Sequence, residues 1–204
     1  MHFRQPRLAV LAASVPIALA MSACNAPPAS QPVPAAPVAA PAPSPAERGH
    51  MLVIGGGCHD CHTTKKIGPN GPEPDMSMML AGHPENIKVA RPYTPAKGSQ
   101  WEIGITGTLT AWSGPWGVSF AANLTPDKDT GITSGVWTEE LFVKALKSGK
   151  HFGTARDILP PMPWYWYGQL SESDLKAIYA YLLTIPPIKN HVPDPMPPAG
   201  APPK

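Results

Sequence analysis

Apolar residues recur at helical spacing in three stretches of the chain, and these stretches predict its main regular structure. The first runs from about 46 to 55 and leads into three consecutive glycines, which end a helix. The second begins at Thr138, a good N-cap residue, and closes at Gly149. The third begins at Ser171 and is stopped by Pro186. We therefore expect three helices.

The third stretch has the clearest amphipathic pattern. Its apolar residues lie at positions i, i+3, i+4 and i+7 and share one face: Leu175, Ile178, Tyr179 and Leu182. In the second stretch, a similar stripe follows Glu139 and Glu140, which the positive end of the helix dipole favours in the first turn. Both patterns are typical of helices that bury one face in a core.

The stretch 80–124 shows no clear helical periodicity. Short extended segments are indicated between Trp101 and Thr110, and 112–116 is typical of a turn with buried aromatic residues. We expect a β-hairpin and a long loop here. The predicted fold class is all-α, with one helical domain over 46–190 that carries this long irregular insertion.

Prolines are concentrated in two arms outside this domain. Of the 29 prolines in 204 residues, eight lie between Pro27 and Pro45 and eight between Pro186 and Pro203. Proline-rich segments favour an extended polyproline II conformation. The sequence predicts a semi-rigid tether over 24–45 and a disordered tail over 191–204.

The N-terminus has the pattern of an export signal. Arg4 and Arg7 precede an apolar run from 8 to 20, which is too short to span a membrane, and small residues follow it. The sequence 21–24, Met-Ser-Ala-Cys, resembles the lipobox of bacterial lipoprotein precursors. We expect a signal peptide over 1–23, lipidation of Cys24, and a membrane-anchored protein in the bacterial periplasm. The alternative is ordinary cleavage that leaves Cys24 as a free thiol.

Charge excludes one class of partner. The chain has 16 basic and 14 acidic side chains, and removal of Arg4 and Arg7 with the signal peptide leaves 14 of each. A balanced chain has no global field that attracts nucleic acid, so we expect no nucleic-acid partner.

The chemistry of the chain is concentrated in residues 57–62, Gly-Cys-His-Asp-Cys-His. Cys58, Cys61 and His62 form the C-x-x-C-H signature of covalent haem attachment. Two thiols about one helical turn apart can add to the two vinyl groups of a porphyrin, and the following imidazole can then bind the iron. The sequence therefore predicts one covalent haem c with His62 as an axial ligand.

Three other interpretations of this motif compete with haem attachment. A disulfide between Cys58 and Cys61 would close a very tight loop. A thioredoxin-like redox pair calls for a preceding strand and a βαβ pattern, and neither is evident. A zinc site needs four convergent ligands, and the motif's cysteines and histidines are too close in sequence to surround one ion unaided.

A haem iron held by His62 needs a second axial ligand or an open position. The downstream candidates are its methionines and histidines: Met76, Met78, Met79, Met162, Met196, His83, His151 and His191. Met162 is favoured because flanking prolines forbid helix and fix an extended backbone around it. The aromatic residues 164–167 can help to exclude water. Met162 as a plain core residue, and a second imidazole from His151 or His83, stay open as alternatives.

With these residues in place, the stretch Pro45–Ile188 resembles a class I c-type cytochrome. The resemblance rests on Cys58–His62, on Met162 and on the closing helix 175–182. It implies that the first and last helices cross at a small residue that meets an aromatic one, for which Gly49 and Tyr181 are the candidates. The hundred-residue gap between His62 and Met162 is longer than in compact soluble carriers.

Two further segments, 123–131 and 137–140, are similar to cytochrome c subunits of bacterial periplasmic dehydrogenases and related respiratory lipoproteins. The implied function is single-electron transfer by an iron with both axial positions filled, rather than enzyme catalysis. The implied partners are redox proteins: a dehydrogenase, a quinol-oxidising complex or a terminal oxidase. A weak docking rim, or an ordinary solvated face, is formed by basic residues: Lys65, Lys66, Lys144, Lys147 and Lys150.

Two further functions remain as alternatives. The chain can be a fixed cytochrome subunit of a dehydrogenase or quinol-oxidising complex instead of a tethered carrier that exchanges freely. It can also be a haem enzyme or gas sensor with an open iron site, which requires that Met162 does not bind the iron.

Overall fold

The computed structural model describes residues 41–198, and within this range five helices are present. They are α1 (Pro45–Gly55), α2 (Cys58–His62), α3 (Glu139–Ser148), α4 (Trp164–Tyr167) and α5 (Glu172–Leu182). Short 3-10 turns lie at Met76–Met78 and His151–Gly153. No helix among these is long and apolar enough to cross a bilayer. The predicted signal peptide, Cys24 and the tether up to residue 40 lie outside the described residues.

The three predicted helices are confirmed as α1, α3 and α5, and each begins at a side-chain cap. Thr138 accepts from Leu141 N at the start of α3, and Ser171 accepts from Asp174 N at the start of α5. Helix α1 begins with a capping box that the sequence analysis did not identify, formed between Ser44 and Glu47.

Helices α1 and α5 cross at a point of close backbone approach. A Cβ atom on the buried Gly49 would collide with the Ala177 carbonyl and with Tyr181 Cβ. The predicted crossing of Gly49 with Tyr181 is therefore confirmed. Beside it, Arg48 Nε donates to Asp174 Oδ1 at 2.9 Å and connects the two helices at the surface.

One hydrophobic core lies where α1, α3 and α5 meet. It is formed by buried aliphatic and aromatic side chains: Val53, Leu80, Ile132, Phe142, Val143, Leu146, Leu175, Ile178, Tyr179, Leu182 and Ile185. The predicted apolar face of α5 supplies four of these residues. Burial of such side chains contributes about 1.5–3 kcal/mol each relative to exposure.

The domain also contains two small antiparallel sheets, so it is mixed α and β rather than all-α. The first sheet is a hairpin of β1 (Lys65–Gly68) and β2 (Gly71–Pro74). The second joins β3 (Gly104–Ile105), β4 (Ala111–Gly114) and β5 (Gly117–Phe120) in that order. The hairpin expected within 80–124 is confirmed, whereas the β1–β2 hairpin was not predicted.

The two hairpins turn on the same four-residue pattern, Gly-Pro-x-Gly. In the first, Gly68 pairs with Gly71, and in the second Gly114 pairs with Gly117. The second glycine of each pattern has a positive φ, 112° and 97°, which glycine adopts without the strain other residues incur. Residues 112–114 therefore belong to a strand, and the turn expected over 112–116 is confined to its last two residues.

The C-terminal segment lies against this sheet over its described part, 191–198, instead of extending freely as expected. Met196 N donates to Val118 O at 3.0 Å, and Val118 N donates to Met196 O at 2.9 Å. His191 N also donates to Glu85 Oε2 at 3.0 Å. The two bonds between Met196 and Val118 add backbone pairing to the β5 side of the sheet.

Candidate functional site

The C-x-x-C-H motif forms a helix of its own directly after α1. Gly57 precedes α2 with φ 67°, a left-handed conformation that redirects the chain between the two helices. Cys58 and Cys61 are both free thiols and both half-buried on α2. The helix therefore presents two unbonded thiols one turn apart, followed at once by His62.

The imidazole of His62 is buried and has a defined orientation. Its Nδ1 lies 2.8 Å from the carbonyl oxygen of Ala122, so that Nδ1 carries the proton and donates. Burial lowers the pKa of His62, which favours the neutral ring that binds metals. Because Nδ1 is engaged, Nε2 is left as the ring nitrogen that can reach an iron.

A seam of main-chain hydrogen bonds fixes the carbonyl of Ala122. Gly82 N donates to His62 O at 2.8 Å, and Leu124 N donates to Leu80 O at 2.8 Å. A Cβ on Gly82, whose φ is 79°, would collide with the carbonyls of Ala121 and Ala122. The segment around Gly82 and the segment around Ala122 therefore pair with each other, and each also forms a hydrogen bond with His62. No local sequence signal predicted this pairing.

A buried amide closes this seam. Asn190 Nδ2 donates to Ala81 O at 2.6 Å and to His83 O at 2.9 Å, and Asn190 Oδ1 accepts from Glu85 N at 2.9 Å. The side chain is 2% exposed and satisfies two buried carbonyls together with the Glu85 N–H. We define this arrangement, residues 80–85 with 121–124 and Asn190, as the histidine seam.

Cys58 lies at the edge of the hydrophobic core, close to Tyr167. Burial raises the pKa of the Cys58 thiol to about 11. The Tyr167 hydroxyl donates to the Gly56 carbonyl, and burial together with the neighbouring Cys58 raises the pKa of Tyr167 to about 12. Helix α4 is thereby held beside the first thiol.

Met162 is half-buried and packs against the same core as Cys58. Its backbone is tied at both sides, with Met162 N donating to Leu159 O at 3.3 Å and Trp164 N donating to Met162 O at 2.9 Å. Ser119 Oγ donates to the Pro160 carbonyl, which fastens the loop to β5. The proline-rich segment thus holds a thioether at the border of the core that also contacts α2.

The other candidate ligands have different surroundings. Both ring nitrogens of His83 are engaged, Nδ1 with Thr110 Oγ1 and Nε2 with Ile87 O, each at 2.9 Å. His151 packs edge-on against Trp137 with ring centroids 5.2 Å apart.

Among the other candidate methionines, Met76 is 58% exposed. Met79 packs against the core, Met78 lies in the same 3-10 turn as Met76, Met196 pairs with β5, and His191 is exposed.

Three of the five lysines considered for a docking rim are engaged within the domain. Lys147 Nζ donates to the carbonyls of Gly168 and Leu170 at 2.9 and 2.6 Å, and Lys150 forms an ion pair with Asp157. Lys65 donates to two carbonyls of the motif region. These ammonium groups serve internal contacts.

The donor set fits a covalently bound haem. It consists of two thiols on one helix, an imidazole with Nε2 available, and a thioether at the same core. Within 41–198, no group of three or more His, Cys, Asp and Glu side chains is placed to hold a metal ion. The chemistry of this site is that of a c-type cytochrome.

Comparison with known proteins points to a narrower class. No family model matches the chain. It is 30% identical over 155 residues to the fructose dehydrogenase cytochrome subunit of Gluconobacter japonicus, which covers 76% of this chain and 24% of that protein. It is 39% identical over 71 residues to the gluconate 2-dehydrogenase cytochrome c subunit of Pantoea cypripedii, covering 34% of this chain and 15% of the relative. It is 36% identical over 83 residues to the alcohol dehydrogenase (quinone) cytochrome c subunit of Gluconobacter oxydans, covering 39% and 17%.

These relatives confirm the resemblance to cytochrome c subunits of bacterial dehydrogenases. All three names describe cytochrome subunits, so the expectation of an electron-transfer chain rather than an enzyme is supported as well. The chain spans about a quarter of the length of the fructose dehydrogenase subunit and less of the other two.

Proposed function

We propose that this chain is a single-electron carrier that holds one haem c through thioether bonds to Cys58 and Cys61, with His62 and Met162 as the axial ligands. The observation that carries the proposal is the buried His62 ring, whose Nδ1 is hydrogen-bonded to Ala122 O at 2.8 Å and whose Nε2 is left for iron. Histidine ligands of metals commonly donate the N–H of their other ring nitrogen to a carbonyl in this way.

The haem, when bound, supplies the iron that accepts and releases one electron. The residues of the chain bind and orient it. Cys58 and Cys61 fix its edge to α2, the histidine seam sets the direction of the His62 ring, and the loop around Met162 presents a soft thioether. A thioether ligand favours the ferrous state relative to a second imidazole and so supports a higher reduction potential.

The relatives' names support a dehydrogenase as the electron donor. All three are cytochrome subunits of dehydrogenases, which favours a fixed subunit over a freely exchanging carrier. We further propose that lipidation at Cys24 and the Pro/Ala tether hold the domain at a periplasmic membrane surface. Mild detergent extraction followed by affinity purification tests both points: a co-purifying catalytic subunit supports the fixed subunit, and a lone acylated chain supports a free carrier.

The axial ligand is tested by Met162→Ala. We expect the ferric wild type to show the sulfur-to-iron charge-transfer absorption band, and the variant to lose it and to bind carbon monoxide rapidly when reduced. Met76→Ala is the matched control, because it removes a thioether that is 58% exposed. An unchanged band in Met162→Ala would contradict the assignment.

Carbon monoxide binding to the wild-type protein distinguishes the proposed function from the alternative with an open iron site. Rapid carbon monoxide binding to the reduced wild-type protein would support a haem enzyme or gas sensor. Slow or absent binding supports an iron with both axial positions filled. Mass spectrometry of the purified chain tests the cofactor directly, since a covalent haem adds its mass to the polypeptide and survives denaturation.

A further inference from the structure

The side chain of Lys65 reaches back over the motif helix. Lys65 Nζ donates to the carbonyl of His59 at 2.7 Å and to the carbonyl of Thr63 at 2.8 Å. The residue is half-buried, and its backbone N donates to Thr108 O at 3.0 Å, which anchors the start of β1. Lys65 is therefore fixed at both its main chain and its ammonium group.

One of its acceptors, the Thr63 carbonyl, lies just past the end of α2, and the other, the His59 carbonyl, also accepts from Thr63 N at 3.2 Å across the last turn. The last carbonyls of a helix have no donor within the helix, and the negative end of the helix dipole favours a cation there. Helix α2 has only five residues, so few internal hydrogen bonds hold it. The ammonium connects a residue before His62 to the residue directly after it, and this limits rotation of the peptide that carries the imidazole.

We infer that Lys65 is a positioning residue that braces the peptide around His62 and places a positive charge beside the haem site, where it favours the reduced, ferrous state. This inference rests on the proposed function, because it takes His62 as the iron ligand. Lys65 does not touch the iron or the porphyrin in this role. It acts through the two carbonyls of α2 and through its charge.

The sign of the effect on the midpoint potential follows from the charges. Reduction adds one electron to the site, and the Lys65 ammonium attracts that negative charge, so the cation stabilises the reduced state relative to the oxidised state. The neighbouring carboxylate of Asp60 acts in the opposite sense, but it is exposed and therefore screened by water and salt. A half-buried ammonium held by two hydrogen bonds keeps more of its effect. Loss of the Lys65 charge is therefore expected to make reduction less favourable.

Lys66 is the matched control. It carries the same charge one residue further along β1, and successive side chains of a strand point to opposite sides. Its side chain is exposed and makes no hydrogen bond or ion pair within residues 41–198. Lys66→Met thus changes the net charge by the same amount as Lys65→Met but leaves α2 untouched.

The test uses the full chain with haem attached and a redox titration that gives the midpoint potential. For Lys65→Met we expect the equilibrium constant for reduction to fall about tenfold, which is about 59 mV for a one-electron couple. Lys65→Gln keeps a donor without the charge and is expected to lose most of this amount. Lys65→Arg is expected to lie within about twofold of the wild type, and Lys66→Met likewise.

Ferric electron paramagnetic resonance gives a second measurement, because its g-values depend on the orientation of the axial imidazole. We expect shifted g-values in Lys65→Met and wild-type values in Lys66→Met. Equal midpoint potentials in the two methionine variants would overturn the inference. If Lys65→Met does not acquire haem, the potentials of the glutamine and arginine variants decide, and agreement between those two would also overturn it.

The same samples separate this inference from the proposed function. A wild-type chain without covalent haem by mass would refute the function itself. If the wild type carries haem but substitution of Lys65 leaves the midpoint potential and the g-values unchanged, only the role given to this lysine is refuted.

Discussion

The crossing of α1 with α5 and the histidine seam hold the domain together by opposite means. The crossing is apolar and close, and it depends on the absence of a side chain at Gly49. The seam is polar and depends on the presence of a side chain, the amide of Asn190, which bonds to two buried carbonyls and to the Glu85 N–H. The crossing stabilises the fold, whereas the seam also orients the His62 imidazole, which is the proposed iron ligand.

The strongest way to break the crossing is Gly49→Leu. A side chain there meets the Ala177 carbonyl and Tyr181, so the helices must separate. We expect the free energy of unfolding to fall by about 3 kcal/mol. Denaturant titration measures this fall, with Gly55→Ala as the control, since a Cβ on Gly55 meets nothing within 4 Å. The interpretation fails if both variants lose equal stability.

Asn190→Ala breaks the seam instead. It leaves two buried carbonyls and the Glu85 N–H without this partner, and we expect a loss of about 2 kcal/mol in unfolding free energy. We also expect a larger change in the ferric haem spectrum than Gly49→Leu produces, because the seam carries the acceptor of His62. Asn86→Ala, at an exposed asparagine, is the control. A spectrum identical to wild type in Asn190→Ala would contradict the positional role of the seam.

The smallest expected effect concerns the ion pair that accompanies the crossing. The hydrogen bond from Arg48, with another from Ser171, holds the pKa of Asp174 below its ordinary value of 3.8. A depressed carboxylate pKa stabilises the fold above the pKa of the unfolded chain, and this contribution is lost as the pH falls through the folded value. Between about pH 5 and pH 2, the wild type should lose more stability than Asp174→Asn.

Urea midpoints measured across this pH range provide the test of the ion pair. The control is Asp157→Asn, which removes an exposed carboxylate away from the crossing. Parallel curves for the wild type and Asp174→Asn would show that the pair contributes nothing to the pH dependence. The apolar crossing would then act alone.

The sequence predicted the helices because their ends carry local chemistry. Thr138, Ser171 and Gly149 each cap a helix through contacts within a few residues, and such contacts can be recognised in a linear pattern. The crossing at Gly49 and Tyr181 was also predictable, but only through the resemblance to a family. Its geometry now follows from the backbone approach itself.

The β1–β2 hairpin was missed although a local signal exists. Residues 68–71 repeat the Gly-Pro-x-Gly pattern of residues 114–117, and both patterns form tight turns between paired strands. Both hairpins could therefore have been predicted from the shared pattern, whereas only the second lay within 80–124, where a β-hairpin had been expected. The all-α fold class is for the same reason confirmed only in part, because the two small sheets make the domain mixed.

The histidine seam could not be predicted from local pattern at all. Ala122 lies 60 residues after His62, and Asn190 lies 107 residues after His83. An alanine carbonyl carries no signal in the sequence, and an isolated asparagine near a proline-rich end is typical of a loop. Only the folded chain brings these groups together around the imidazole.

The position of Asn190 also sets an order of events during synthesis. Cys58 and Cys61 are synthesised about 130 residues before Asn190, whose amide completes the seam around the neighbouring imidazole. A nascent chain therefore carries both thiols through this whole stretch of elongation before the seam can be completed.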